Sequence, residues 1–209
     1  MTKAKEIASS LLAIGAVHLR PDQPFTWTSG IKSPIYCDNR ITMSYPSVRR
    51  QIAQAFAELI RETYPEAQVV AGTATAGIPH AAWVAELLDL PMIYVRDKAK
   101  GHGRQNQIEG ALAAGQKVVV IEDLISTGGS SLKAAQAVQA EGGEVLGVAA
   151  IFSYQFPDAE ALFADAGIPC TTISHYTALL EAAKEQGTIT AEQVTLLGEW
   201  RKAPKTFFA

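Results

Sequence analysis

Gln116-Lys117-Val118-Val119-Val120-Ile121-Glu122-Asp123-Leu124-Ile125-Ser126-Thr127-Gly128-Gly129-Ser130 is the stretch on which the fold turns. From Val118 to Ile121 it is apolar without alternation, so Gln116–Ile121 is expected to be a strand covered on both faces, as in the middle of a parallel sheet. Two acids follow, then small hydroxyl and glycine residues. A helix is predicted from about Gly129 to Ala140, ended by Gly142-Gly143.

Outward from this stretch the same alternation repeats. Upstream, Val48, Ile52, Phe56, Leu59 and Ile60 share one face of a helix that begins near Pro46. Strand Gln68–Ala71, helix Gly77–Leu88 and strand Met92–Val95 follow. Downstream come strand Glu144–Phe152, helix Pro157–Ala166, strand Thr171–Ser174 and two C-terminal helices. Strands alternating with helices predict an α/β fold, a mostly parallel central sheet flanked by helices. Residues 1–40 read as a small separate element: a helix over Thr2–Ile14, then extended pieces at Val17–Leu19, Phe25–Trp27 and Ile31–Tyr36, broken by Pro21, Pro24, Gly30 and Pro34. Residues 41–209 form the core with its C-terminal helices. Ligands of such sheets bind beyond the carboxyl ends of the strands, which directs attention to the loops after Ala71, Val95, Ile121 and Phe152.

Composition narrows the function classes. The 209 residues are 48% hydrophobic and 19% charged, enough to bury a core. The net charge of −3 gives no general attraction to polyanions, so no nucleic-acid partner is expected. No apolar run reaches membrane-spanning length, and the spacing of Ile7, Leu11, Leu12 and Ile14 fits an amphipathic helix better than a signal peptide. Cys37 and Cys170 stand alone, which points to a reducing, cytoplasmic setting. His18, His80 and His175 show no metal-ligand spacing, and no residue is singled out as a metal ligand. Trp27, Trp83 and Trp200 read as core or interface aromatics.

The loop after Ile121 combines two chemistries. Gly128 and Gly129 let the backbone approach a ligand. The amides opening the next helix point outward with the positive end of its dipole, and Ser126, Thr127 and Ser130 add hydroxyl donors. That is a phosphate cup without a lysine. Glu122 and Asp123 would repel a phosphate but accept hydrogen bonds from sugar hydroxyls. Acids ahead of a phosphate cup describe a ribose 5-phosphate site. No Gly-Lys-Ser/Thr ending makes it a P-loop, and Gly101-His102-Gly103-Arg104-Gln105-Asn106 lacks the last glycine of a dinucleotide fingerprint.

With those residues in view, Val118–Ser130 resembles the motif of the type I phosphoribosyltransferases that binds phosphoribosyl diphosphate (PRPP). The resemblance implies that Glu122, Asp123, Leu124, Ile125, Ser126, Thr127, Gly128, Gly129 and Ser130 hold PRPP. A second segment, Arg96-Asp97-Lys98-Ala99-Lys100-Gly101-His102-Gly103-Arg104-Gln105-Asn106-Gln107, gathers cations around two glycines in an acidic protein. Cleaving ribose C1 from diphosphate leaves a cationic sugar and a highly charged leaving group. Basic side chains could neutralise that charge, a histidine could pass a proton, and a lid could exclude water.

Arg96, Lys100-Gly101-His102-Gly103 and Asn106-Gln107-Ile108-Glu109-Gly110 resemble the catalytic loop of the orotate phosphoribosyltransferases. In that family the loop reaches the neighbouring subunit of a homodimer. The resemblance implies Lys100 and His102 as catalytic residues, Arg96, Lys100 and His102 as PRPP contacts, and Mg²⁺ carried on the diphosphate. Thr28-Ser29-Gly30-Ile31-Lys32-Ser33-Pro34 resembles the family's N-terminal hood over the pyrimidine, with Lys32 and Ser126 as the implied orotate contacts. Ala71–Gly77 stands where the family holds diphosphate. The chain departs from its relatives at Asp97, where many have a second basic residue, and at Ala76, where some have lysine. It also has Ser153-Tyr154-Gln155 where some have an arginine. Two other readings remain on sequence grounds: a phosphoribosyltransferase for another base, or a PRPP-sensing regulator of the same fold.

Overall fold

The computed structural model describes residues 2–27, 30–97 and 107–208. Thr2 caps the first helix, α1 (Lys3–Ala13), by accepting from the Lys5 amide. Two small antiparallel pairs follow: β1 (Val17–Leu19) with β4 (Ile35–Cys37), and between them β2 (Phe25–Thr26) with β3 (Lys32–Ser33). A 3-10 helix, Asn39–Ser44, leads into α2 (Pro46–Thr63). The core then runs β5 (Val69–Thr73), α3 (Gly77–Leu88), β6 (Met92–Val95), β7 (Ile108–Glu109), β8 (Lys117–Ile125), α4 (Gly129–Ala140), β9 (Glu144–Ser153), α5 (Pro157–Asp165), β10 (Cys170–His175), α6 (Tyr176–Glu185) and α7 (Ala191–Lys202).

The large sheet has six strands in the order β10-β9-β8-β5-β6-β7, parallel except for β7, which pairs antiparallel with β6 at one edge. The α/β reading, with a mostly parallel sheet flanked by helices, holds. Val118–Ile121 of β8 and Val148–Phe152 of β9 are fully shielded from solvent, each large aliphatic side chain contributing roughly 1.5–3 kcal/mol by leaving water. α2 buries Val48, Ile52, Phe56 and Ile60 on one stripe and starts at Pro46, where a missing amide costs nothing.

Chain direction fixes the site. From β5 the chain winds outward to β6, and from β8 it winds outward the opposite way to β9. Right-handed crossovers therefore place α3 and α4 on opposite faces of the sheet. The switch point lies between β5 and β8, and the crevice opens at their carboxyl ends. Strand β8 extends past the Ile121 expected from hydropathy, because Glu122, Leu124 and Ile125 continue to pair with Ala150, Phe152 and Ser153 of β9. Glu122 and Asp123 thus sit on the strand, not in the loop, and the loop itself shrinks to Ser126–Gly128.

The small N-terminal pairs are tied down by aromatics. Trp200 of α7 is fully buried, stands edge-on to Trp27 and Phe156, and donates its indole N–H to the Lys32 carbonyl at 3.2 Å. α1 lies against β10 and α6.

Candidate active site

Side chains at the end of β8 alternate, and the two acids differ. The Glu122 carboxylate is buried and already engaged: it accepts from Ser131 Oγ at 2.9 Å and from the Asp123 amide at 3.0 Å. Asp123 is half-buried at the crevice. Burial first, and the neighbouring Asp123 charge second, push the Glu122 carboxyl up to about 8. Burial also raises Asp123. Of the two, Glu122 is the acid that burial most strongly disposes to keep its proton.

Ser126 and Gly129 are half-exposed, Thr127 and Ser130 are exposed, and Ile125 is buried, so this stretch is open to solvent on one side. Gly128 takes φ 79°, a conformation glycine adopts without strain, and it reverses the chain into α4. No side chain caps the first turn of α4. Its leading amides are left to meet a ligand. The Leu124 side chain turns the other way, toward the N-terminal pairs, where it lines a cavity of about 470 Å³ with Phe25, Trp27, Tyr36, Cys37, Ser126 and Tyr154. A second cavity, about 270 Å³, lies beyond Ser126 and Thr127 and is closed by the C-terminal Lys202–Thr206. The C-terminal tail, which carries no readable signal in the sequence, thus borders the cup.

At the end of β5, Thr73 is buried and its hydroxyl has no hydrogen-bond partner. The turn through Ala74–Ala76, with a cis Ala74–Thr75 peptide, leads to Gly77. A Cβ at Gly77 would stand 2.4 Å from the Ile121 carbonyl oxygen, so only glycine lets α3 start this close to β8. Thr73, Arg96, Gly129, Ser130 and Lys133 line a groove of about 630 Å³ between the ends of β5 and β6 and α4. Arg96 is fixed at the neck of the following loop: its amide donates to the Gln107 carbonyl at 2.8 Å and its guanidinium pairs with Glu109 at 3.4 Å.

Arg96 shares its groove with Gly129 and Ser130, Ser126 and Thr127 line the smaller cavity, and Glu122 and Asp123 stand at the end of β8 just before them. Lys100 and His102, with Lys98 and Asn106, lie outside the described residues, as do Thr28 and Ser29. Lys32 sits exposed on β3 and is not among the residues lining the cavity that Ser126 faces. Asn39 is not a sequence candidate, and Thr73 falls within Ala71–Gly77, from which only backbone contacts to diphosphate are expected. Among the described residues no group of three or more His, Cys, Asp or Glu is placed to hold a metal.

Comparison with known proteins adds to this geometry. The family model for the phosphoribosyl transferase domain matches residues 44–162. An orotate phosphoribosyltransferase from Enterococcus faecalis is 62% identical over 208 residues, 99% of each chain. The crystal structure of an orotate phosphoribosyltransferase from Aeropyrum pernix superimposes with a TM-score of 0.75 at 28% identity, covering 88% of this chain and 99% of that one. The Mycobacterium tuberculosis orotate phosphoribosyltransferase in complex with PRPP matches with a TM-score of 0.66 at 28% identity, covering 85% and 98%.

Proposed function

The chain belongs to the phosphoribosyl transferase family and, within it, to the orotate phosphoribosyltransferases, and from that premise we propose how its residues divide the reaction. The protein is a pentosyl transferase of pyrimidine synthesis: it moves the 5-phosphoribosyl group of PRPP to orotate, giving orotidine 5'-monophosphate and diphosphate. The observation that carries the residue assignment is the uncapped first turn of α4 beside the two acids of β8.

In this reading the 5-phosphate rests on the amides and hydroxyls of Ser126–Ser130, with Leu124 and Ile125 contributing main chain only. Asp123 accepts from the ribose hydroxyls. Glu122, held by Ser131, orients Asp123 by accepting from its amide. The diphosphate lies in the groove between Thr73 and Arg96, where the orphaned Thr73 hydroxyl finds an acceptor. Orotate enters the cavity walled by Trp27, Tyr36 and Tyr154, with Ser126 at its mouth and Lys32 on the outer strand of the hood.

Mg²⁺ is the cofactor this chemistry requires. The scarcity of clustered carboxylates suits an ion that arrives on the substrate's phosphates and takes at most one or two protein oxygens. Asp123 and the Thr73 hydroxyl are the described groups that would face it, and it would neutralise diphosphate charge. Lys100 and His102 complete that neutralisation and proton delivery.

A homodimer with shared sites fits the outer face of α2 and α3. There Leu87 and Tyr45 are exposed, and Trp83 lies under the Arg49 guanidinium at 5.3 Å. Both cysteines are free, which supports a cytoplasmic setting, and no helix among the described residues is long and apolar enough to cross a membrane.

The test is direct. Protein, Mg²⁺, PRPP and orotate are mixed and the loss of orotate absorbance is followed, with uracil, adenine and hypoxanthine in parallel. Only orotate should be consumed; turnover of another base instead overturns the assignment of the hood. Lys100→Ala should lower the rate by about 10²–10³, the scale for one preorganised charge donor, and a rate within a few-fold of wild type would remove Lys100 from the mechanism.

A further inference from the structure

Strand β8 outruns its neighbour. Pairing with β5 stops at Gly72↔Ile121, while pairing with β9 continues to Ile125. The main chain at Asp123 therefore has a strand on one side only. On the open side its carbonyl is taken by Asn39, whose side-chain amide donates to it at 2.7 Å. Asn39 is fully buried, which is unusual for an amide side chain, and both polar atoms of that side chain are engaged. Its Oδ1 accepts from Cys37 Sγ at 3.4 Å, and its own carbonyl accepts from Thr42 Oγ1 at 2.6 Å.

The chain of contacts continues. Thr42 Oγ1 stands 3.4 Å from His80 Nε2. With its proton given to the Asn39 carbonyl, the hydroxyl accepts, so Nε2 carries the imidazole hydrogen and the buried Nδ1 is left without a partner. These residues come from three places. Asn39 and Thr42 belong to the 3-10 helix that joins the hood to the core, Asp123 to the end of β8, and His80 to the first turn of the helix that leaves the Thr73–Gly77 turn. Each end of the chain of contacts abuts a different wall of the crevice.

We propose that Asn39 is a positioning residue for PRPP: a buried amide strut, braced through Thr42 on His80, that sets the main chain of Asp123 against the hood junction and the start of α3. Asn39 touches no substrate; it acts through Asp123. Its loss should weaken PRPP binding more than it disturbs the orotate cavity, which, among the described residues, Asn39 meets only through the Cys37 thiol. The proposal rests on the reading of Asp123 as the sugar-binding acid.

Equilibrium binding of Mg·PRPP by titration calorimetry tests it, with thermal unfolding as the fold control and the Michaelis constant for orotate as the specificity control. Asn39→Ala should weaken PRPP about tenfold, the scale for leaving one buried hydrogen-bonding group unmade, with the orotate constant within threefold of wild type. In an Asp123→Asn background the same substitution should add little, because partners in one network are not additive. Thr42→Val should weaken PRPP in the same direction and Thr42→Ser should restore it. PRPP affinity of Asn39→Ala within twofold of wild type, or an undiminished tenfold loss on top of Asp123→Asn, overturns the proposal. Should Asn39→Ala not fold, the Thr42 pair decides: loss with Val and recovery with Ser supports the strut, and equal affinity in both overturns it. The calorimetric readouts that decide the proposal compare variants with wild type and need no turnover; only the orotate control does. A wild type that ignores orotate would therefore defeat the functional reading without touching this one.

Discussion

The acids illustrate how far single residues were legible. Their type and order, Glu122 then Asp123, are the sequence signal behind the proposed sugar site, but their different burial does not show there, because it depends on which of them the strand turns inward. Glu122 turns in and is pushed up to about 8 by burial and by Asp123. His80, buried without a charge partner, is pushed down to about 4. The two have opposite consequences for stability. A carboxyl raised in the folded state holds its proton longer than in the unfolded chain, so its contribution is full below about 4.5 and is lost as pH rises through about 8. A histidine lowered in the folded state gives stability that is present above about 6.5 and lost as pH falls toward about 4. Between those ordinary values the two largely offset each other. Above pH 6.5 only the Glu122 contribution changes. The unliganded protein should lose at most about 2 kcal/mol between roughly pH 6.5 and 8, a fall of about 4–8 °C in melting temperature for a chain of this size. Glu122→Gln should abolish that fall. Melting curves at the two pH values check it, and a variant that still falls as far as wild type would place the titration elsewhere.

Elements were the most readable level, because period and length report directly on burial. The unalternated run in β8, the Pro46 start of α2 and the Gly142-Gly143 stop of α4 each carry a local physical signal. What stayed hidden depends on pairing between distant segments. The extension of β8 to Ile125 comes from β9, the edge strand β7 exists only because Ile108 meets Val95, and the 3-10 helix from Asn39 to Ser44 is held by contacts to β8 and α3. Gly77 belongs to the same class. In sequence it is a helix start; in the structure it is the point where α3 touches β8, with no room for a methyl group beside the Ile121 carbonyl. Gly77→Ala should force the turn after Thr73 away from β8, costing about 1–3 kcal/mol as an overpacked site does. It should also weaken PRPP more than orotate. Chemical denaturation and the two Michaelis constants test this together: an unchanged PRPP constant in a destabilised protein would mean that the turn moves without touching the diphosphate groove.

At the scale of the whole molecule, the reaction needs a crevice closed against water. Arg96 and Gln107 are joined at the edge of the sheet, so the segment that carries Lys100 and His102 leaves and returns at one point beside the groove. Residue type and spacing do not say whose site that segment serves, since reach depends on where a second copy docks; only the family resemblance points to the neighbour's. If the subunits pair through the face bearing Trp83 and Leu87 and exchange these segments, each site is a composite of Asp123 from one copy and Lys100 from the other. Two inactive proteins, Asp123→Ala and Lys100→Ala, should then rescue each other when mixed, dissociated and reassociated. Random pairing gives half mixed dimers, and each mixed dimer holds one site with both residues intact and one with neither, so activity should return to about a quarter of wild type. Leu87→Asp, which puts a charge on the pairing face, should prevent the recovery and lower the molecular mass seen by sedimentation. Were each loop to serve its own subunit, every site in every pairing would still lack one of the two residues. The mixture would then stay as inactive as its parts.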